Sequence, residues 1–160
     1  MKDLNLTTRI SVCEYEELSQ EDRELVDAAK RMVQHSYSPY SHFKVGAAAR
    51  LSDGRIHGGA NQENAAYPSG LCAERTTLFA ANALYPELAV KALAIAAFTD
   101  GAFTEIPTAP CGACRQVMLE TEDRYKQPMK VILYGSKQIY VLESAASLMP
   151  LTFVKDDLHS

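Results

Sequence analysis

Tryptophan is missing from this sequence, and no apolar run approaches the roughly 20 residues that a membrane span requires. The opening Met1-Lys2-Asp3-Leu4 lacks the apolar stretch of a secretory leader. Together these absences predict a cytoplasmic protein with no membrane partner. Glycine and proline are sparse, eight and seven in 160 residues, while 47% of the chain is apolar. That balance excludes a disordered or fibrous chain. Repeats, low-complexity tracts and linkers are absent too. A single domain over 1–160 is expected, with 1–19 as an N-terminal arm. A basic excess is also lacking: 16 Lys and Arg stand against 20 Asp and Glu, a formal charge of −4. This is the wrong sign for a dedicated nucleic-acid binder and leaves a small molecule as the expected partner. Most of the excess is local, since five basic and eight acidic residues lie between Met1 and His35.

What the chain does have is four cysteines: Cys13, Cys72, Cys111 and Cys114. A chain of this length builds its own core without disulfides, so in a reducing compartment such thiols point to metal or redox chemistry. Cys13 stands alone in an acidic stretch and reads as an ordinary residue.

Apolar spacing places these thiols in a fold. Leu4, Leu6, Ile10 and Val12 alternate, as in an extended arm or edge strand. Ser19 and Asp22 form a capping-box pattern ahead of Leu25, Ala29, Met32 and Val33 at helical spacing, and Pro39 bounds that helix. Phe43–Leu51 and Ile56–Ala60 flank Asp53-Gly54, a hairpin signal. A helix is expected from Leu71 or Cys72 to about Leu84, and a strand covered on both faces from Lys91 to Phe98. A second such helix, with Pro110 in its first turn, should carry Cys111 to about Glu120. Strands over Lys130–Tyr134 and Gln138–Leu142 and a short helix before Pro150 complete the order. Strands alternating with helices indicate a layered α/β domain, in which ligands bind at strand-to-helix junctions.

Two such junctions hold Cys72-Ala73-Glu74-Arg75 and Pro110-Cys111-Gly112-Ala113-Cys114-Arg115. Cysteines three apart share one helix face, and a helix N-terminus favours the thiolate that binds zinc. Three thiolates leave one tetrahedral position open, as a catalytic zinc requires, because no fourth ligand lies at suitable spacing. His35, His42, His57 and His159 read as surface or core residues. Glu74, two positions from a ligand, is the natural proton carrier. Arg75, with Arg115 as a second candidate, is expected to donate to the sulfurs and offset their charge. Other readings stay open at this point: a thiol oxidoreductase using Cys111 and Cys114, or a zinc module without activity.

The chain closely resembles the small zinc-dependent cytidine deaminases with three cysteine ligands. The resemblance rests on Ser38-Pro39-Tyr40-Ser41-His42-Phe43, Val45-Gly46-Ala47-Ala48, Asn61-Gln62-Glu63-Asn64-Ala65 and the two cysteine motifs, the second extended by Gln116. These stretches stand in family order between about Ala28 and Phe153. The resemblance implies a three-layer α/β/α sandwich around a mixed five-stranded sheet. It implies one zinc ion per chain on Cys72, Cys111 and Cys114, with Glu74 shuttling protons for a zinc-bound hydroxide that adds to C4 of cytosine. By the same resemblance Asn61 and Glu63 hold the ribose and Phe43 packs on the base, while Ala65, Ala73 and Tyr67 complete the pocket. It further implies a homotetramer, with Phe153 closing a neighbouring subunit's site, and a role in pyrimidine salvage. The expected substrates are free cytidine and 2′-deoxycytidine, because a carboxylate at the sugar disfavours a phosphate. A deaminase of another cytosine nucleoside would share the zinc motifs. Lys44, where the family commonly has proline, the long arm and an expanded stretch at 101–109 depart from the pattern.

Overall fold

A computed structural model of the protein describes residues 1–159, the side chain of His159 excepted. Its strands are β1 (Ser11–Cys13), β2 (Lys44–Leu51), β3 (Ile56–Ala60), β4 (Val90–Thr99), β5 (Ala102–Phe103), β6 (Lys130–Tyr134) and β7 (Ile139–Leu142). The helices are α1 (Gln20–Met32), α2 (Ala73–Leu84) and α3 (Gly112–Tyr125). The sheet order is β1-β7-β6-β4-β2-β3, with β5 hairpinned onto β4. Among the strands of the described residues only β4 and β6 pair in parallel, joined by the crossover through α3, and the other pairs are antiparallel.

Alternation along the central strands sends side chains to two separate cores. Leu25, Val26 and Ala29 of α1 pack on Ala48, Ala94, Ala96 and Ile132 on one face. On the other face, Leu78 of α2 and Met118 of α3 pack on Ala47, Leu93, Ile95, Val131 and Leu133. The result is the expected α/β/α layering. Each fully buried leucine contributes about 1.5–3 kcal/mol of transfer free energy.

The sheet has seven strands where five were expected. The five main strands lie within a residue of their predicted positions. The additions are short: β1 pairs with β7, and β5 makes two residue pairs with β4. The arm's alternation therefore yields an edge strand only at Ser11–Cys13, and 1–10 stays exposed without regular structure. α3 runs five residues past the expected Glu120, because no helix breaker intervenes before Lys126, which caps it in the left-handed region at φ 50°. Pro110 precedes the helix rather than entering its first turn, since Cys111 is the N-cap. The short helix before Pro150 is a 3-10 turn, Ala145–Leu148. Among the described residues no helix is long and apolar enough to cross a membrane.

Strand direction decides where loops gather. β3 and β4 both run antiparallel to β2, so both leave the sheet beside the start of β2. The loops leading to α2 and α3 therefore leave the same end of the sheet. α2 lies directly over β3, since a Cβ at Gly59 would fall 2.6 Å from Thr77 Oγ1. Only glycine allows that approach.

Candidate metal centre

Both zinc-motif helices begin at a cysteine. Cys72 is the N-cap of α2 and Cys111 the N-cap of α3, each with extended backbone angles, while Cys114 follows in the first turn of α3. Neither N-cap sulfur accepts from a backbone N–H of its own helix, so both remain free to turn outward. Sγ of Cys111 lies 3.5 Å from Sγ of Cys114 and 3.8 Å from Sγ of Cys72. All three sulfurs fall within 4.8 Å of one another, and this is the one such metal-ligand cluster among the described residues. Tetrahedral zinc–thiolate bonds of ~2.3 Å demand sulfurs separated by about 3.8 Å. Two of the three separations match that spacing and the third lies within 4.8 Å, so the donor set fits zinc.

Electrostatics support the same assignment. Cys72 is pulled down to about 5, chiefly by a hydrogen bond from the Cys114 thiol and then by bonds from Arg75 and Cys111, against the cost of burial. Cys114, as the donor, is correspondingly pushed up, with burial and the nearby Glu74 adding to the effect. Arg75 Nη2 lies 3.8 Å from Cys72 Sγ, and its buried Nε has no hydrogen-bond partner among the described residues. Arg115 does not meet the expectation. Its Nε donates to the Pro110 carbonyl at 2.9 Å and its Nη1 to the Leu148 carbonyl at 2.9 Å, which turns the guanidinium to backbone rather than sulfur.

Glu74 sits in the first turn of α2, 5% exposed, and burial pushes its carboxyl above the ordinary range. Beside the thiols opens a cleft of about 550 Å³ walled by Tyr40, Glu63, Asn64, Tyr67, Cys72 and Arg75, among others. Asn61 and Glu63 both reach it. Phe43, Ala65, Ala73 and Phe153 do not line it within the chain; Phe43 is half-buried at the entry to β2, and Phe153 is 57% exposed.

The two polar wall residues are already engaged. Asn61 Oδ1 accepts from the Val45 N–H at 2.8 Å and the Ser36 hydroxyl at 2.6 Å, and its Nδ2 donates to the Phe43 carbonyl at 2.9 Å. One amide hydrogen remains for a ligand. Glu63 accepts from the Tyr40 and Ser41 N–H groups at 2.9 and 3.2 Å and from the Ser41 hydroxyl. Those donors, the Ser41 hydroxyl first, hold its carboxyl below the usual range. Tyr40 and Ser41 were missed as site residues because a turn motif in sequence does not show which carboxylate it embraces. Their N–H groups behind a proline were the available signal.

Residues 19–127 match the family model described as "Cytidine and deoxycytidylate deaminase zinc-binding region". The chain belongs to the zinc-dependent cytidine deaminase family. A cytidine deaminase of Sporosarcina psychrophila is 41% identical over 134 residues, which cover 84% of this chain and 92% of that protein. One from Halalkalibacterium halodurans is 42% identical, covering 84% and 96%. Among solved structures, a cytidine deaminase from Burkholderia pseudomallei superposes with a TM-score of 0.70 at 41% identity, covering 85% of this chain and all of that one. The Mycobacterium tuberculosis cytidine deaminase gives 0.65 at 29% identity. Family membership and the thiol trio together make this a zinc-binding hydrolase and remove the oxidoreductase reading.

Proposed function

We propose that this chain hydrolyses free cytidine and 2′-deoxycytidine to uridine and 2′-deoxyuridine with release of ammonia, within pyrimidine salvage. The observation that carries the reading is the thiol trio at two helix N-termini, with buried Glu74 beside it and a carboxylate-walled cleft in front. Relatives bearing the name cytidine deaminase support the substrate class.

Cys72, Cys111 and Cys114 hold zinc, which supplies the Lewis acidity that makes water a nucleophile near neutral pH. Glu74 takes a proton from the attacking water and passes it to the pyrimidine ring nitrogen as the water oxygen bonds to C4. It then takes the remaining proton from the oxygen now bonded to C4 and delivers it to the leaving amine as the C4–N bond breaks and the C4 carbonyl forms, which returns Glu74 to its starting state. Arg75 offsets the charge of the sulfurs. Phe43 and Tyr67 flank the base, the backbone at Ala65 and Ala73 meets its edge, and Asn61 and Glu63 take the ribose hydroxyls. The assembly is a homotetramer in which Phe153 closes a neighbouring subunit's site. The exposure of Phe153 and Tyr67, 57% and 77%, supports that reading.

The cleft favours the nucleoside over its 5′-monophosphate. Its wall includes Glu63 and a single cationic side chain, Arg75, which already faces Cys72. The test follows ultraviolet loss of cytidine and deoxycytidylate side by side on protein of measured zinc content. Cytidine turnover with about one zinc per chain is expected; faster deoxycytidylate turnover, or none with either, defeats the reading.

Glu63→Ala removes a charged acceptor that meets substrate and transition state alike. It should raise KM for cytidine about 10–100-fold and leave kcat within a few-fold. A kcat loss with unchanged KM would take Glu63 off the ribose.

A further inference from the structure

The three ligand sulfurs are not held equally. Cys114 is fully buried among core residues, and Cys72 is half-buried with Arg75 against its sulfur. Cys111 is exposed, and its sulfur meets only the other two thiols among its hydrogen-bonding neighbours. Packing therefore does little to aim Cys111, and its direction must come from its backbone.

That backbone is gripped by Arg115. Its N–H bonds to the Cys111 carbonyl at 2.9 Å as part of the helix, while its Nε bonds to the Pro110 carbonyl at 2.9 Å. The peptide planes on both sides of Cys111 are thus tied to one residue. The guanidinium is braced from behind by the Leu148 carbonyl, and the neighbouring Gln116 Nε2 donates to the Phe153 carbonyl at 2.9 Å. Two consecutive residues of α3 therefore strap the 148–153 segment beside the ligand turn.

We propose that Arg115 is a positioning residue for the metal centre: through the Pro110 carbonyl it sets the Cys111 peptide so that this exposed sulfur meets the other two. The inference rests on the trio being the zinc site and adds a residue that touches no sulfur. A guanidinium suits the task because its rigid fork presents donors in fixed directions to two carbonyls at once, whereas an ammonium is a flexible point charge. Groups that orient a metal ligand typically change metal affinity about 10–100-fold when removed.

The experiment compares zinc-loaded wild type, Arg115→Gln and Arg115→Lys, timing zinc release to a chromophoric chelator. It also records the thiolate-to-metal band of the cobalt-substituted proteins and the melting temperature with and without zinc. Arg115→Gln should release zinc about 10–100-fold faster, shift the cobalt band and shrink the zinc-induced rise in melting temperature. Arg115→Lys should fall between the two and carries the test if Arg115→Gln does not fold. Release within twofold of wild type and an unchanged cobalt band would overturn the proposal, even if both metal-free and loaded variants melt lower, because that is the behaviour of a purely structural arginine. Wild type that retains no zinc would defeat the trio itself, a result distinct from equal retention in wild type and variant.

Discussion

Glu74→Gln should lower kcat for cytidine by about 10²–10⁴-fold while about one zinc per chain is retained. The substitution keeps the shape of the side chain in a site only 5% exposed, so packing against the first turn of α2 survives. What disappears is the ability to accept a proton and give it back. Both proton transfers of the proposed reaction pass through this one carboxyl, so no step escapes the loss. Folding should not suffer. A carboxyl pushed toward its neutral form by burial is replaced by a neutral amide, and the melting temperature should stay level or rise. Turnover within tenfold of wild type would mean that another group carries the proton. Loss of zinc together with activity would make Glu74 a structural support for Cys72 rather than a proton carrier.

The second large effect lies at the far end of α3. Glu122 is 9% exposed, and its carboxylate collects four hydrogen bonds. Oε1 accepts from the Met129 and Ala145 N–H groups at 2.6 and 3.0 Å, and Oε2 accepts from the Ala146 N–H and the Ser144 hydroxyl at 3.0 Å each. One side chain thereby ties the end of α3 to the approach to β6 and to the 3-10 turn after β7. Glu122→Ala strands the Met129 and Ala145 N–H groups, each costing about 1–3 kcal/mol where water cannot reach, while the Ala146 N–H keeps the Ser144 hydroxyl at 3.1 Å. With part of that relieved by water, a loss of about 2–4 kcal/mol is expected, or roughly 4–16 °C in melting temperature for a chain of this size. Glu122→Gln keeps one acceptor oxygen but turns an amide N–H group toward remaining donors, so it should fall between alanine and wild type. A melting temperature within 2 °C of wild type for Glu122→Ala would show that the cluster contributes nothing net.

Glu122 also marks the boundary of what the sequence makes legible. The zinc trio and Glu74 are readable because their chemistry depends on short spacings that local helix geometry preserves. β4 is readable because burial on both faces leaves an unbroken apolar run, and β2 and β3 because Asp53-Gly54 marks the turn between them. β5 makes only two residue pairs, too few to leave a pattern, and β1 takes its place from its pairing with β7, about 130 positions away. The role of Arg115 escapes for a related reason. Adjacency to Cys114 placed it near the sulfurs, whereas carbonyls at Pro110 and Leu148 claim its guanidinium, and the latter is 33 positions distant. The carboxylate of Glu122 is invisible in sequence, since its partners come from two loops that only the finished fold assembles.

The convergence of β3 and β4 on one end of the sheet has a kinetic side. Cys111 and Cys114 share a helix turn and meet early, but Cys72 lies 39 positions from Cys111. Closing that span in an unfolded chain costs about 3 kcal/mol of loop entropy, plus a constant. β2 must first pair with both neighbours before the two helix starts face one another. Metal capture by all three sulfurs is therefore expected to follow the pairing of β2 with β3 and β4.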